Sequence, residues 1–347
     1  MLAGYGPHAV GVRTDVFLNP AQVDYADPAR GLRDRRLVVE LWYPADCDSE
    51  LTTKDGVYDT LLRDGVTPVR LYGRARRGAT ALPGAFALVI LSHGYPGNRM
   101  LMAHLGETLA SRGYLVASID HPDSTYADKG AFLSTLINRP LDVRFVVDQI
   151  GTQAYGIIGY SMGGYGALVS GGAGVSEAAL TMEPQREALA MHRDVAVDPR
   201  LRAIIPIGPW GRNHGVWDAA GLAGLQVPAL IMAGSKDDVS GYADGMRLIH
   251  KQAPGCRLLT FDGAGHNAAA PYPAPREAFR PSPGLGFLAA EHYVDPVWNT
   301  LRMNGIAQHF ACAFMGLHLK REEGMVRYLD AGFPGFAPGA ANGLRLE

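Results

Sequence analysis

The sequence has few cysteines, no long apolar run and almost no net charge, and each absence excludes a class of protein. Three cysteines occur in 347 residues, at Cys47, Cys256 and Cys312. An odd number of widely spaced cysteines predicts neither a disulfide framework nor a zinc site. The formal charge of −2 offers no electrostatic reason to bind nucleic acid or an anionic membrane surface. No run approaches the roughly 18 apolar residues of a membrane span.

The composition and the first ten residues bear on the compartment. Hydrophobic residues make up 47% of the chain and charged residues 19%, which is typical of a folded globular protein. The first ten residues have no basic start followed by an apolar stretch, so we expect no secretory signal there. Together with the cysteine content, this favours a reducing, cytoplasmic location. A secreted protein whose signal peptide has been removed is the alternative.

Runs of aliphatic and β-branched residues recur along the chain, and helical patterns separate them. Most runs are continuously apolar, which is typical of strands covered on both faces in a parallel sheet. The predicted strands lie at 37–43, 87–91, 114–119, 156–158, 203–207, 229–233 and 257–261. The predicted helices lie at 100–111, 141–150 (opened by Pro140), 163–170, 242–252 and 297–319. The alternation predicts an α/β fold, in which a doubly wound, mostly parallel sheet has helices on both faces.

Two stretches depart from this alternation. The segment 51–83 is polar and contains glycine, and 171–200 follows a predicted helix and precedes a predicted strand. The second insertion is interpreted either as a lid over a pocket or as a surface loop without ligand contact. We find no repeat or linker that divides the chain, so one domain over 1–347 is predicted.

The most specific motif is Gly159-Tyr160-Ser161-Met162-Gly163, a G-x-S-x-G sequence between a predicted strand and a predicted helix. In that context the serine occupies a tight turn, and small residues two positions away on either side avoid steric collision. Its hydroxyl then lies at the carboxyl edge of the sheet, near the helix N-terminus, where developing negative charge is favoured. The motif predicts Ser161 as a nucleophile.

A serine nucleophile needs a base and an acid that orients the base. Among eleven histidines, His266 follows the predicted strand 257–261 in a glycine-containing loop, which makes it the candidate general base. Asp237 and Asp238 follow the strand 229–233. The order serine, aspartate, histidine is the order expected for this kind of site. We prefer Asp237 as the acid, and Asp238 is the alternative.

Backbone amides are expected to stabilise the oxyanion. One is the amide of Met162, directly after the nucleophile, and the other is that of Tyr95, in the loop after the strand 87–91. Tyr160, Trp210 and His93 are predicted to contact the substrate, because each lies beside a predicted catalytic loop.

Four segments resemble a known family. The segments 88–100, 109–125, 139–150 and 159–164 resemble bacterial platelet-activating-factor acetylhydrolase-like esterases of the α/β-hydrolase superfamily, a group that overlaps with predicted dienelactone hydrolases. The elbow, the His93-Gly94-Tyr95 loop and the Pro209-Trp210 pair are similar to polyester-cleaving cutinases. The resemblance implies that Tyr95 and Met162 supply oxyanion amides and that Trp210 lines the cleft.

Two positions depart from these relatives. True dienelactone hydrolases have a cysteine where this chain has Ser161, and mammalian acetylhydrolases usually have a histidine where it has Tyr160. We therefore expect a serine carboxylesterase of broad substrate range that acts through a covalent acyl-enzyme, without cofactor or metal, and whose range extends to polyesters. The alternatives are an acetylhydrolase-type lipase, a serine peptidase on the same fold, or a binding module without turnover.

The residues Asp120, His121 and Asp123 form a short cluster that resembles a metal site. One histidine and two aspartates within four positions do not readily face one ion, and no second cluster accompanies them. We interpret the segment as a loop ordered by its own hydrogen bonds. The expected ligand of the chain is a small-molecule ester, with neither nucleic acid binding nor membrane insertion.

Overall fold

A computed structural model describes residues 1–46, 55–181, 186–282 and 284–347. Cys47, the first residues of the segment 51–83 and residues 182–185 of the segment 171–200 lie outside the described residues. Cys256 and Cys312 are buried and free.

All seven predicted strands are present, each extended by one or more residues. In chain order the strands of the described residues are β1 (Ala9–Val23), β2 (Leu32–Ala45), β3 (Val57–Leu61), β4 (Pro68–Tyr72), β5 (Arg76–Arg77), β6 (Ala87–Ser92), β7 (Tyr114–Asp120), β8 (Tyr155–Tyr160), β9 (Leu201–Ile207), β10 (Ala229–Gly234), β11 (Cys256–Phe261) and β12 (Leu344–Leu346). The sequence analysis missed β1, β3, β4, β5 and β12. Most side chains of β1 beyond its first residues are exposed or half-buried, so this strand lacks the continuous apolar signal.

Ten of the described strands form one sheet in the order β12-β11-β10-β9-β8-β6-β7-β2-β1-β5, and β3 pairs with β4 in a separate hairpin. The six strands from β11 to β7 are parallel, whereas β2, β1 and β12 pair antiparallel at the two sides. In the register, Ser92 is opposite Gly159 and Tyr160 is opposite Ile207. The loops that follow β6, β8, β9, β10 and β11 therefore leave the sheet at one edge.

Apolar packing on both faces explains the continuous apolar strands. In β6, Val89 and Leu91 belong to the core on one face of the sheet, and Leu88 and Ile90 belong to the core on the other. Alternate side chains of a strand point to opposite faces, so all four are removed from water. The predicted mostly parallel sheet with helices is confirmed.

The α-helices of the described residues are α1 (Ala103–Ser111), α2 (Phe132–Ile150), α3 (Met162–Ser170), α4 (Arg186–Leu189), α5 (Ala219–Ala223), α6 (Arg247–Gln252) and α7 (Thr300–His318). The five predicted helices correspond to α1, α2, α3, α6 and α7, apart from their ends, and α5 has no predicted counterpart. A π turn, Tyr242–Met246, precedes α6. The described residues contain no helix long and apolar enough to span a membrane.

The prediction that Pro140 opens a helix was wrong, because Pro140 lies inside α2. Proline removes one N–H and displaces the carbonyl groups of the preceding turn. Here those carbonyls have other partners: Leu136 O accepts from the Tyr165 hydroxyl at 2.8 Å, and Ile137 O pairs with His192 Nε2 at 2.8 Å. Tertiary hydrogen bonds thus make up for the bonds that the proline costs the helix.

The two departing segments take different positions. The described part of 51–83 contains the β3–β4 hairpin, and Arg63 in its turn lines the cleft described below. No described residue of 171–200 lines that cleft, so the described part of this segment does not form the lid that was considered. The cleft is bordered instead by residues from the stretch 287–296, between β11 and α7, which sequence analysis did not identify as part of a cleft.

Candidate active site

Ser161 occupies a sharp turn between β8 and α3. Its φ of 53° and ψ of −111° are rare for a residue with a side chain, and such strain is typical of functional sites. A Cβ at Gly159 would lie 2.1 Å from Gly163 O, and one at Gly163 would lie 1.9 Å from Ser92 O. The turn therefore needs both glycines of the motif. The Ser161 amide donates to Ile207 O at 2.8 Å, and its carbonyl accepts from the Trp210 amide at 3.1 Å.

The structure brings Ser161, His266 and Asp237 into one hydrogen-bonded chain. His266 Nε2 lies 3.0 Å from Ser161 Oγ, and His266 Nδ1 lies 2.8 Å from Asp237 Oδ2. The other carboxylate oxygen of Asp237 accepts from the amides of Val239 at 2.9 Å and Ser240 at 2.8 Å. Both oxygens of Asp237 are thus engaged, and the imidazole nitrogen near the serine is placed to accept its proton.

The neighbouring Asp238 does not contact His266. The Asp237 side chain has no exposed surface, whereas Asp238 is exposed and lies on the rim of the cleft. The geometry therefore supports Asp237, which sequence analysis preferred, as the acid beside the histidine.

The loops that hold the acid and the base are tied to each other. The Lys236 amide donates to Ala264 O at 2.8 Å and the Ser235 amide to Phe261 O at 3.0 Å. The Gly265 amide donates to Asp295 Oδ2 at 2.7 Å. Because Asp295 also accepts from the backbone further along its own loop, the segment before α7 fixes the position of the histidine loop.

The amides of Tyr95 and Met162 are available to a ligand. Both residues line the cleft beside Ser161, and neither amide donates to a protein acceptor within the described part of the chain. An amide in the first turn of a helix has no partner within the helix, which explains Met162. These are the positions at which sequence analysis placed the oxyanion donors.

A buried arginine holds the loop that contains Tyr95. Arg139, on α2, is 1% exposed and donates to the carbonyl oxygens of His93 and of Gly94, the latter at 2.9 Å. Burial lowers the pKa of Arg139 to about 9. Sequence analysis missed this residue, although an arginine within the apolar stripe of α2, at helical spacing from Leu136 and Val143, was a signal that could have identified it.

The prediction that His93 contacts substrate was wrong. Its side chain is completely buried and does not line the cleft, because both ring nitrogens are engaged inside the protein. Nδ1 donates to Gly94 O at 2.7 Å, and Nε2 accepts from the His121 amide at 3.2 Å. Burial, reinforced by the charge of Arg139, lowers the pKa of His93 well below its usual value, so this histidine is neutral and structural.

The segment Asp120–Asp123 is ordered by hydrogen bonds, but those of His121 reach side chains distant in sequence and not, as predicted, only the loop itself. His121 Nδ1 donates to Asp142 Oδ2 at 2.9 Å, and Arg35 makes a two-pronged contact with the same carboxylate at 2.6 and 3.0 Å. Burial lowers the pKa of His121 to about 4. No group of residues able to hold a metal ion occurs in the described ranges.

Aromatic rings form one wall of the cleft, whose volume is about 770 Å³. The Phe132 ring contacts Tyr95 and Trp210 edge to face, with ring centroids 5.0 and 5.1 Å apart, respectively. Tyr160 lies beside the triad, its ring centroid 5.3 Å from that of His266. Tyr160 and Trp210 thus line the cleft, and their contact with the substrate stays a prediction.

A larger cavity of about 1170 Å³ lies between the β3–β4 hairpin, α1 and α7. It is lined by His104 and Glu107 among others, but it contains none of the three triad residues. His104 is bound to the Ala270 carbonyl at 3.1 Å. We therefore place the candidate active site in the smaller cleft, where a serine and a histidine are in contact.

Comparison with known proteins agrees with the fold and with the position of the elbow. Residues 87–169 match the family model described as "alpha/beta hydrolase fold". A ferulic acid esterase from Streptomyces cinnamoneus has a similar structure, with a TM-score of 0.68 over 97% of this chain and 96% of that one. At 22% identity this likeness shows the fold alone. The chain has the α/β-hydrolase fold.

The chain is similar in sequence to bacterial cutinases. It is 30% identical to Cutinase 1 of Thermobifida cellulosilytica over 192 residues, which are 53% of this chain and 61% of that protein. It is 28% identical to a bis(hydroxyethyl) terephthalate hydrolase of Streptomyces coelicolor over 166 residues, 46% of this chain and 43% of that protein. The chain thus spans less than two thirds of the length of these relatives. The predicted cutinase-like resemblance is confirmed.

Proposed function

We propose that this protein is a serine carboxylesterase that hydrolyses carboxylic esters through a covalent acyl-enzyme. The observation on which this rests is the hydrogen-bonded series Ser161, His266, Asp237, located in a cleft beside two backbone amides. A hydroxyl is a weak nucleophile until an adjacent base accepts its proton. The similarity to cutinases supports the same reaction class.

In the acylation step, His266 Nε2 accepts the Ser161 proton as Oγ attacks the ester carbonyl. Asp237 accepts a hydrogen bond from Nδ1–H, which keeps Nε2 free of hydrogen before attack and stabilises the imidazolium afterwards. The amides of Tyr95 and Met162 donate to the oxyanion that forms on the carbonyl oxygen. His266 then gives its proton to the alcohol as the ester bond breaks.

In the deacylation step, a water molecule takes the place of the alcohol. His266 accepts a proton from this water while its oxygen attacks the acyl carbonyl, and the same two amides stabilise the second oxyanion. When the tetrahedral intermediate collapses, the proton returns to Ser161 Oγ and the acid leaves. This cycle requires neither metal nor cofactor.

We propose in addition that the substrate range is broad and extends to polyesters. The cleft is open to solvent at its rim, where Asp238 and Val239 are exposed. Trp210 and Tyr160 would contact the acyl or alcohol group. The names of the relatives, cutinase and bis(hydroxyethyl) terephthalate hydrolase, support the inclusion of polymers and aromatic diesters. The cytoplasmic location and the single domain over 1–347 stay predictions.

The test is hydrolysis of para-nitrophenyl esters of increasing acyl length, together with a polyester emulsion and a peptide nitroanilide. We expect turnover of the esters by the wild type and a loss of about 10⁴-fold or more with Ser161→Ala. Faster turnover of the nitroanilide than of the esters would favour the serine peptidase alternative. Retention of the full ester rate by the variant would refute the assignment of the nucleophile.

A further inference from the structure

A guanidinium group lines the cleft and has no carboxylate partner. Arg63 lies in the turn between β3 and β4, is half-buried and borders the same cleft as Ser161. Its Nη1 is 2.7 Å from His292 Nδ1, and its central carbon lies 5.8 Å from the centroid of the Phe287 ring. No carboxylate among the described residues lies within ion-pair distance. A guanidinium has five N–H donors, so donors are left over for a ligand.

His292 fixes the position of the Arg63 guanidinium. Because an arginine only donates, Nδ1 of His292 must accept, and the hydrogen of the neutral ring is on Nε2. Burial, reinforced by the charge of Arg63, lowers the pKa of His292 well below its usual value. Its Nε2 is buried and has no hydrogen-bond partner in the described structure. His292 is 6% exposed and lines the cleft.

We infer that Arg63, held in place by His292, forms a carboxylate-binding subsite, so that the enzyme prefers esters that have a free carboxylate away from the bond to be cleaved. The N–H groups of the guanidinium that do not contact His292 match the two acceptor oxygens of a carboxylate. Phe287, Val294 and Pro296, from the same loop segment as His292, also line the cleft and suit an apolar spacer. This inference rests on the proposed esterase function and names its substrate class.

The other charged residues of the cleft neither pair with Arg63 nor replace it. Asp295 accepts from three backbone amides, and Glu291 accepts from the Leu288 amide at 3.3 Å, so both carboxylates have donors other than Arg63. Lys236 is exposed at the rim, where an ion pair contributes at most about 1 kcal/mol. A half-buried arginine that already has one fixed hydrogen bond is the stronger site, and Lys236 provides a comparison for the test.

The test compares charged and neutral esters of matched shape. For a carboxylate on the acyl part, the pair is monoethyl adipate and diethyl adipate. For one on the alcohol part, the pair is para-(butyryloxy)benzoate and para-tolyl butyrate. The quantity is the ratio of kcat/KM for the charged ester to that for the neutral ester. We expect Arg63→Met to lower this ratio by about 10- to 100-fold in one of the two pairs, through KM.

Controls separate the subsite from general effects. Arg70→Met removes an exposed arginine of the same hairpin, which pairs with Asp59 at 3.1 Å and lines a different cavity; the ratio should not change. Arg63→Lys should restore part of the ratio. An unchanged ratio with Arg63→Met, or an equal fall with Lys236→Met, would overturn the inference.

Separate experiments test the carboxylate-binding subsite and the esterase function. Hydrolysis of the neutral esters by the wild type tests the function, independently of Arg63. Calorimetric titration of monoethyl adipate and of para-(butyryloxy)benzoate into Ser161→Ala, with and without Arg63→Met, tests the subsite without turnover. We expect the second substitution to weaken binding of one of the two esters by about 10-fold or more; equal affinities for both esters would contradict the subsite even if the esters are hydrolysed.

Discussion

Replacement of Asp237 by asparagine tests the orientation of the catalytic histidine. The oxygen Oδ1 of Asp237 accepts from the amides of Val239 and Ser240, and Oδ2 faces His266 Nδ1 at 2.8 Å. An asparagine has one oxygen. If that oxygen keeps the two backbone amides, the NH₂ group faces His266 and requires Nδ1 to accept. The hydrogen of the ring then moves to Nε2, which can no longer take the proton of Ser161.

The expected loss in kcat is about 10⁴-fold, the effect of a histidine held in the wrong tautomer. The assay is para-nitrophenyl ester hydrolysis under saturating substrate, with thermal unfolding to confirm that the variant is folded. Asp238→Asn is the matched control, because Asp238 is exposed at the rim and does not contact His266; its kcat should stay within a few-fold of the wild type. An Asp237→Asn variant that retains a tenth of the activity, or a control that loses as much, would refute this reasoning.

The remaining predictions concern pH and the buried support of the site. Burial lowers the pKa values of His104 and His121 to about 4, so between about pH 6.5 and pH 4 the unfolded chain binds more protons. Each histidine then costs up to about 3 kcal/mol of stability as the pH falls through that window. Urea unfolding should show this, and a stability independent of pH would contradict it. Arg139→Met leaves the His93 carbonyl unpaired and removes one of the two donors to the Gly94 carbonyl, which should cost on the order of 3 kcal/mol in the same assay. We expect a larger effect on kcat than on KM, and a full kcat would argue against its positioning role.

The parallel strands and the proximity of Ser161, Asp237 and His266 could be predicted because their signals are local. Each central strand is apolar on both faces, and Ser161, Asp237 and His266 each directly follow such a strand. A parallel sheet places the carboxyl ends of its strands at one edge, so the order of these residues along the chain was enough to bring them together.

The parts that sequence analysis missed depend on contacts between distant residues. The position of Pro140 inside α2 depends on Tyr165 and His192, whose side chains bind the carbonyl groups that the proline leaves without a partner in the helix. The mistake at His93 has the same origin, because its place in the catalytic loop gave no sign that its ring points inward to His121. Arg63 and His292, which border the cleft, are 229 positions apart. Neither residue directly follows a strand of the ten-stranded sheet.

The most direct test of the proposed function is detection of an acyl group on Ser161. The protein would be mixed with a para-nitrophenyl ester, quenched in acid during the first turnover and digested for mass spectrometry. We predict a burst of nitrophenol and one acyl group on the peptide that contains Ser161, both absent from Ser161→Ala. An acyl group on another residue, or turnover by Ser161→Ala at the wild-type rate, would contradict the proposed mechanism.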